Sequence, residues 1–261
     1  MYAFDFERPA TIADAVKALA DEDAQVLAGG QTLIPSLKQR LAMPSKLVSL
    51  SGLAELRGIC SDDEGRLCIG AATPHAEVAA QDGYKALARL AANIGDPAVR
   101  NRGTIGGSLA NNDPSACYPA AVLASNATIV TNNREIAADD FFRGLFDTAL
   151  EQDEIITEIR LPRPEKAAYV KFEQPASRFA LVGVFVARFP DGVRVAVTGA
   201  SEEGVFRWSE AEAALDGDFS AGALEGVTLD GSGMIEDVHG SGAYRAHLTG
   251  VLTRRAVEAA G

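Results

Sequence analysis

Cysteine is scarce in this chain: Cys60, Cys68 and Cys117 are the only three among 261 residues, and no two stand in a Cys-x-x-Cys spacing. An odd, scattered set of thiols argues against a disulfide framework and suits a reducing cytoplasm. Three cysteines also fall short of the four thiolates that an iron–sulfur cluster usually takes. Histidine is equally sparse, with only His75, His239 and His247, and no His-Glu-x-x-His occurs, so no metal site is expected. His247 reads as a core or boundary residue of a terminal helix. Basic charge is in deficit: 24 Lys and Arg against 36 Asp and Glu leave a net charge of −12. Binding to nucleic-acid phosphates or anionic lipid needs clustered cations, so neither is expected as a partner. Long apolar runs are missing as well. The longest, Phe179 to Ala187, has nine residues, too few for a membrane span. The first seven residues, Met1 to Glu7, lack the basic and apolar segments of a signal peptide.

What remains is an ordinary globular composition, 47% apolar, long enough for one or two domains with a real core. The acidity is uneven. Residues 201–237 hold ten acidic side chains against Arg207 alone, a local net of −9, which reads as a solvated face or as a surface for a basic partner.

Periodicity supplies the elements. Thr11-Ile12-Ala13-Asp14 has the form of a capping box ahead of a short helix with Ile12, Val16 and Leu19 on one side. Gln25–Ala28 predicts a strand running into Gly29-Gly30, and Leu33–Leu41 predicts a helix with Pro35 in its first turn. Strand-like runs at Lys46–Leu50 and Leu67–Ala71 precede a helix over Tyr84–Ile94, stopped by Gly95-Asp96-Pro97. A further helix follows at Tyr118–Leu123. Beyond it, Glu154–Leu161, Ala168–Glu173, Leu181–Phe189 and Val193–Thr198 are strand-like and closely spaced, which suggests an antiparallel sheet, and Gly242–Ala259 predicts a closing helix. Pro162-Arg163-Pro164 is the expected linker.

Two glycine clusters carry the chemistry. Gly29-Gly30-Gln31-Thr32 lies between a strand and a helix, where backbone N–H groups form a concavity for an anion. Gly103-Thr104-Ile105-Gly106-Gly107-Ser108 offers a second such turn, with Arg100 and Arg102 close in sequence. Together they suggest a diphosphate held mainly by neutral donors. Neither fits Gly-x-Gly-x-x-Gly or the P-loop, which removes support from the usual dinucleotide and nucleotide folds. Gly106-Gly107-Ser108 also imitates a nucleophile elbow, so a serine hydrolase pairing Ser108 with His239 or His247 is an alternative.

Leu27 to Pro35 taken with Arg100 to Pro114 resembles the paired loops of the FAD-binding medium subunit of the molybdenum hydroxylases, the family of xanthine dehydrogenase and aerobic carbon monoxide dehydrogenase. Tyr169-Val170-Lys171-Phe172, Ala180 to Val184 and Tyr244 to Leu248 extend the similarity over nearly the whole chain. The resemblance implies an α+β protein: a vanillyl-alcohol-oxidase-type FAD-binding fold of two α/β subdomains, about 1–52 and 53–162, then a C-terminal domain, 163–261, of three-stranded antiparallel sheet plus helices. It implies FAD as cofactor, with Leu27, Ala28, Gly29, Gly30, Gln31, Thr32, Leu33 and Ile34 in the first loop. Thr104, Ile105, Gly106, Gly107 and Ser108 form the second, and Cys117, Leu161 and Phe179 complete the set. Cys117 stands where the family commonly has Asp, and Phe179 where it often has Tyr. The implied role is electron transfer from the 2Fe–2S clusters of a small subunit through FAD to an external acceptor. A molybdopterin large subunit would complete a heterotrimer that pairs into a dimer. No side chain need act as acid or base. A binding or assembly module that keeps the fold with weakened flavin is the alternative.

Overall fold

The computed structural model describes residues 1–261 and arranges them around three sheets. The first is parallel: β1 (Asp5–Glu7) and β2 (Ala24–Leu27) flank β3 (Lys46–Ser49). The Ile12–Leu19 helix covers it. Its N-terminus is capped as expected, with Thr11 Oγ1 accepting from Asp14 N at 3.1 Å. Asp14 does not return to the Thr11 amide; its carboxylate accepts from the Thr11 hydroxyl at 2.8 Å.

The second sheet is antiparallel. β4 (Ile59–Ser61), β5 (Leu67–Gly70), β6 (Thr128–Thr131), β7 (Glu135–Ala137) and, after a short hairpin β8 (Phe142–Gly144) and β9 (Asp147–Thr148), β10 (Ile156–Leu161) order themselves β4-β5-β10-β6-β7. Its inner face packs under helices Lys85–Ala92, Ile105–Asn111 and Tyr118–Ala124, giving a core of 30 buried residues that includes Ile69, Ile129, Ile159 and Leu161.

The third sheet corrects an expectation. It has four strands, not three: β11 (Lys166–Glu173), β12 (Ala180–Phe189), β13 (Gly192–Ser201) and β14 (Gly204–Arg207), in sequential antiparallel order. β14 escapes a sequence reading because it is four residues long and enters from the acidic turn Glu202-Glu203, where charge hides the pattern. The two sides of β12 serve different cores, as period-two alternation requires. Phe185 and Ala187 face the middle helices, whereas Val182, Val184 and Val186 face Trp208, Leu248 and Leu252. The Gly242–Ala260 helix closes that outer side, and His247 is exposed on it rather than in the core.

Two buried charges lock this framework. Arg245 donates to the carbonyls of Leu181 (2.8 Å) and Gly199 (2.7 Å) and to Asp237 (2.8 Å), tying the last helix to β12 and β13. Glu154, ahead of β10, accepts from Arg134 through both oxygens (2.9 and 2.8 Å), from Thr131 Oγ1 (2.7 Å) and from Glu151 N (3.0 Å). Arg134 beside it, with these donors, holds its carboxyl down at about 2, against an ordinary 4.5. A depressed carboxylate contributes stability that is complete above the unfolded-state value and lost as pH falls through the folded one. Glu154→Gln should therefore lower unfolding stability at pH 7 by on the order of 2 kcal/mol. The gap from wild type should close between about pH 4.5 and 2 in denaturant titrations; a gap that ignores pH would contradict the assignment.

Candidate functional site

The first sheet ends on the first glycine loop. β2 stops at Leu27, the chain turns through Ala28-Gly29-Gly30-Gln31-Thr32, and the Leu33–Lys38 helix starts without a side-chain cap. The backbone N–H groups of Gly29, Gly30, Gln31 and Thr32 meet no protein acceptor. Consecutive amides left free at the surface, opening into a helix N-terminus, are the arrangement that holds an anionic oxygen. Gly30 has φ +72°, in the left-handed region that permits this turn.

The second loop is built differently from the first. Gly103 ends a turn after the Pro97–Arg100 helix, and Thr104 caps the Ile105–Asn111 helix through its hydroxyl, which accepts from Gly107 N at 3.2 Å. Ile105 N and Gly106 N donate to the carbonyls of Thr73 (3.2 Å) and Ala71 (2.9 Å), which leaves the Thr104 amide as the free one. Its glycines serve close packing as much as ligand access: a Cβ on Gly106 would lie 2.6 Å from the Ala71 methyl. Arg100 does not aim at an anion either. Its guanidinium donates to the Ile94 (3.0 Å) and Gly95 (2.8 Å) carbonyls of its own loop, while Arg102 is exposed.

The two loops touch. A Cβ on Gly29 would collide with the carbonyl of Arg102, and one on Gly107 would sit 3.6 Å from the Ala28 methyl. Behind this contact lies a small cavity of ≈ 70 Å³, lined by Val26, Ala28, Ala72, Gly107, Ala110 and Ile155 among others, with Glu154 at one edge. The row of free amides next to this contact suits the anionic link of a ligand.

The remaining expected residues fall in two places. Cys117 is buried next to the Lys171 ammonium, 3.9 Å away; burial pushes its thiol up, and Lys171 opposes the shift. Lys171, whose side chain is only 3% exposed, also donates to Asn93 O and Arg178 O, both at 2.8 Å, and so joins Cys117 to the turn that carries Phe179. Phe179 is 52% exposed, an open aromatic face. Leu161 stands apart, fully buried in the main core. Ser108 lies inside the Ile105–Asn111 helix, not at a strand-to-helix elbow, and His239 and His247 are both exposed and form no bond with it, so no hydrolytic triad is assembled. No group of three or more His, Cys, Asp or Glu side chains is arranged to hold a metal ion, and no helix is long and apolar enough to cross a membrane.

Two residues next to these loops were not legible as site residues. Lys171 is one of two lysines in β11, and nothing in the strand's sequence marks its side chain as the buried one. His75 lies beneath Gly103, its backbone N–H bonded to the Gly103 carbonyl at 2.9 Å and its ring 5.2 Å from that of Tyr118. Burial, with Arg100 nearby, pushes His75 down to about 4, so it stays neutral under the loop.

Known proteins are similar to this chain along its whole length. The nicotine 6-hydroxylase medium subunit of Paenarthrobacter nicotinovorans is 36% identical over 99% of this chain and 98% of its own length. A carbon monoxide dehydrogenase structure from Hydrogenophaga pseudoflava superposes with a TM-score of 0.89 at 33% identity, covering 99% of this chain and 97% of that one. Quinoline 2-oxidoreductase from Pseudomonas putida 86 gives 0.88 at 31% identity over 99% and 97%. Residues 2–164 match the family described as the FAD binding domain in molybdopterin dehydrogenase. The chain thus belongs to the FAD-binding subunits of the molybdenum hydroxylases, and it is an oxidoreductase subunit with FAD as its cofactor.

Proposed function

We propose that this chain is the electron outlet of a molybdenum hydroxylase complex, binding FAD across its two glycine loops. The observation that carries the reading is the row of free amides from Gly29 to Thr32 on a loop that touches the second loop, Gly29 against the Arg102 carbonyl and Ala28 against Gly107. FAD, when bound, supplies redox chemistry that takes up electrons from iron–sulfur clusters and releases them to an external acceptor. The protein's residues bind and orient. The amides of residues 29–32 and of Thr104 offer neutral donors to the diphosphate, so a chain of net charge −12 needs no cationic patch there. Ala28, Leu27, Leu33 and Ile34 exclude water along the flank, and Phe179 presents an aromatic face on the turn that Lys171 fixes. Leu161 supports the second sheet from within. We assign residues 1–52 and 53–162 to the two FAD-binding subdomains and 163–261 to the C-terminal domain. The partners in this reading are a 2Fe–2S small subunit and a molybdopterin large subunit, in a dimer of heterotrimers. The names of the relatives, medium subunit and medium chain, support it.

A second reading, a fold-retaining module with weakened flavin, draws on Cys117: the buried ammonium of Lys171 faces a neutral thiol there. Cys117→Asp should then raise FAD retention through gel filtration at least severalfold; unchanged retention removes that support.

For the main reading, Gly30→Val and Gly107→Val direct side chains toward Ile34 and into the gap between the loops. Each should weaken FAD binding by about tenfold or more, roughly 1.4 kcal/mol, with far-UV circular dichroism unchanged. Wild-type FAD affinity in both, measured by flavin fluorescence, refutes the placement.

A further inference from the structure

The register of the β4–β5 hairpin sets Cys60 directly opposite Cys68. Backbone bonds from Asp62 N to Arg66 O (3.2 Å) and from Gly70 N to Gly58 O (3.0 Å) lie two positions to either side. The alternation of an antiparallel ladder therefore makes Cys60 and Cys68 a hydrogen-bonded pair, with Cα atoms about 5.5 Å apart. A disulfide spans Cα separations of roughly 4.4–6.8 Å. Opposed residues also share a face, and here both line an open groove of ≈ 500 Å³ on the outer side of the second sheet, with Val130, Glu158 and Arg160. Cys60 is exposed at the rim, Cys68 is 3% exposed beneath it, and both are free thiols.

We propose that Cys60 and Cys68 form a reversible cross-strand disulfide by exchange with a low-molecular-weight disulfide. The Cys60 thiolate attacks one sulfur of that reagent; a new S–S bond forms, the old one breaks, and one thiolate leaves with the electron pair. The Cys68 thiolate then attacks the Cys60 sulfur and displaces the second. Two protein thiols are oxidised, one external disulfide is reduced to two thiols, and the two protons pass to the departing thiolates. The order follows from exposure. Burial, reinforced by the Glu158 and Asp62 carboxylates, pushes Cys68 up to about 11, which suits the resolving position rather than the first attack.

The bridge would pin an edge strand that leads toward the FAD loops. Just before β4, Leu56 O accepts from Ala72 N (2.7 Å), and Gly58 exchanges bonds with the Thr73 hydroxyl (3.0 and 3.1 Å). The Ala71 and Thr73 carbonyls in turn receive Gly106 N and Ile105 N. Cys117 takes no part, since it lies buried beside Lys171.

The test equilibrates the native full-length chain with oxidised and reduced glutathione, then alkylates the remaining thiols and maps the peptides. Cys60 and Cys68 should disappear together as one linked species lighter by two hydrogens. Cys117 should stay reduced, and excess dithiol should restore both thiols. Cys68→Ser should stop at a mixed disulfide on Cys60, and Cys60→Ser should take up no glutathione. A wild-type chain that accumulates glutathione on Cys60 without bridging, or in which neither thiol reacts, overturns the proposal.

Discussion

The contact between Gly29 and the Arg102 carbonyl is the constraint on which the other features of the site rest. It is a backbone-to-backbone approach that admits no side chain at position 29, and it brings the end of the parallel sheet against the helix that starts at Ile105. Once the loops touch, Ala28 and Gly107 become neighbours and line one wall of the cavity between the first two sheets, while the amides of residues 29–32 meet no protein acceptor. The division of labour between the loops follows. The first keeps its donors free, and the second spends most of its own on Ala71, Thr73 and Thr104 to hold its position.

The C-terminal sheet supports this arrangement from one side. Because Phe185, Ala187 and Ala196 belong to the same core as Ile105 and Leu109, β12 and β13 are part of the platform beneath the second loop. Their other face is sealed by Trp208 and the final helix, and Arg245 fastens that helix to the Leu181 and Gly199 carbonyls. Gly199 N and the Thr198 hydroxyl reach across to Pro114 O, at 2.7 and 2.8 Å, on the segment leading from the second loop to Cys117. The acidic stretch 201–237 lies on this sheet and its outer layer. Within it, Glu212 and Asp237 are structural, paired with Arg207 and Arg245, while most of the others are exposed carboxylates.

Much of this was legible in the sequence, and the parts that were not share physical causes. Strand β2 and the loop after it could be read because a β-like run met two glycines and a helix, all within ten residues. The Ile12–Leu19, Lys85–Ala92 and Tyr118–Ala124 helices and strands β2, β3, β5 and β10 to β13 follow apolar periodicity, whereas β4, β6, β7 and the His75–Ala80 and Ile105–Asn111 helices, each seven residues or fewer, give too short a pattern to read. Strand β14 could not be read, since its four residues are too few to establish alternation. The pairing of Cys60 with Cys68 depends on hairpin register, which spacing alone does not give. The roles of Lys171 and Arg245 were hidden for a related reason: a buried cation is recognised by the carbonyls it meets, and those lie 78 and 64 positions away at Asn93 and Leu181. The second glycine loop was read as a twin of the first because sequence shows glycines but not where their amides point.

The touching glycine loops are proposed to cradle the diphosphate of FAD. Titrating the purified chain, with its partner subunits present, with FAD and following flavin fluorescence and absorbance tests it most directly. Binding should saturate at one FAD per chain and be competed by ADP, whose diphosphate would occupy the same amides. Absence of saturable flavin binding, or binding that ADP leaves untouched, would contradict it.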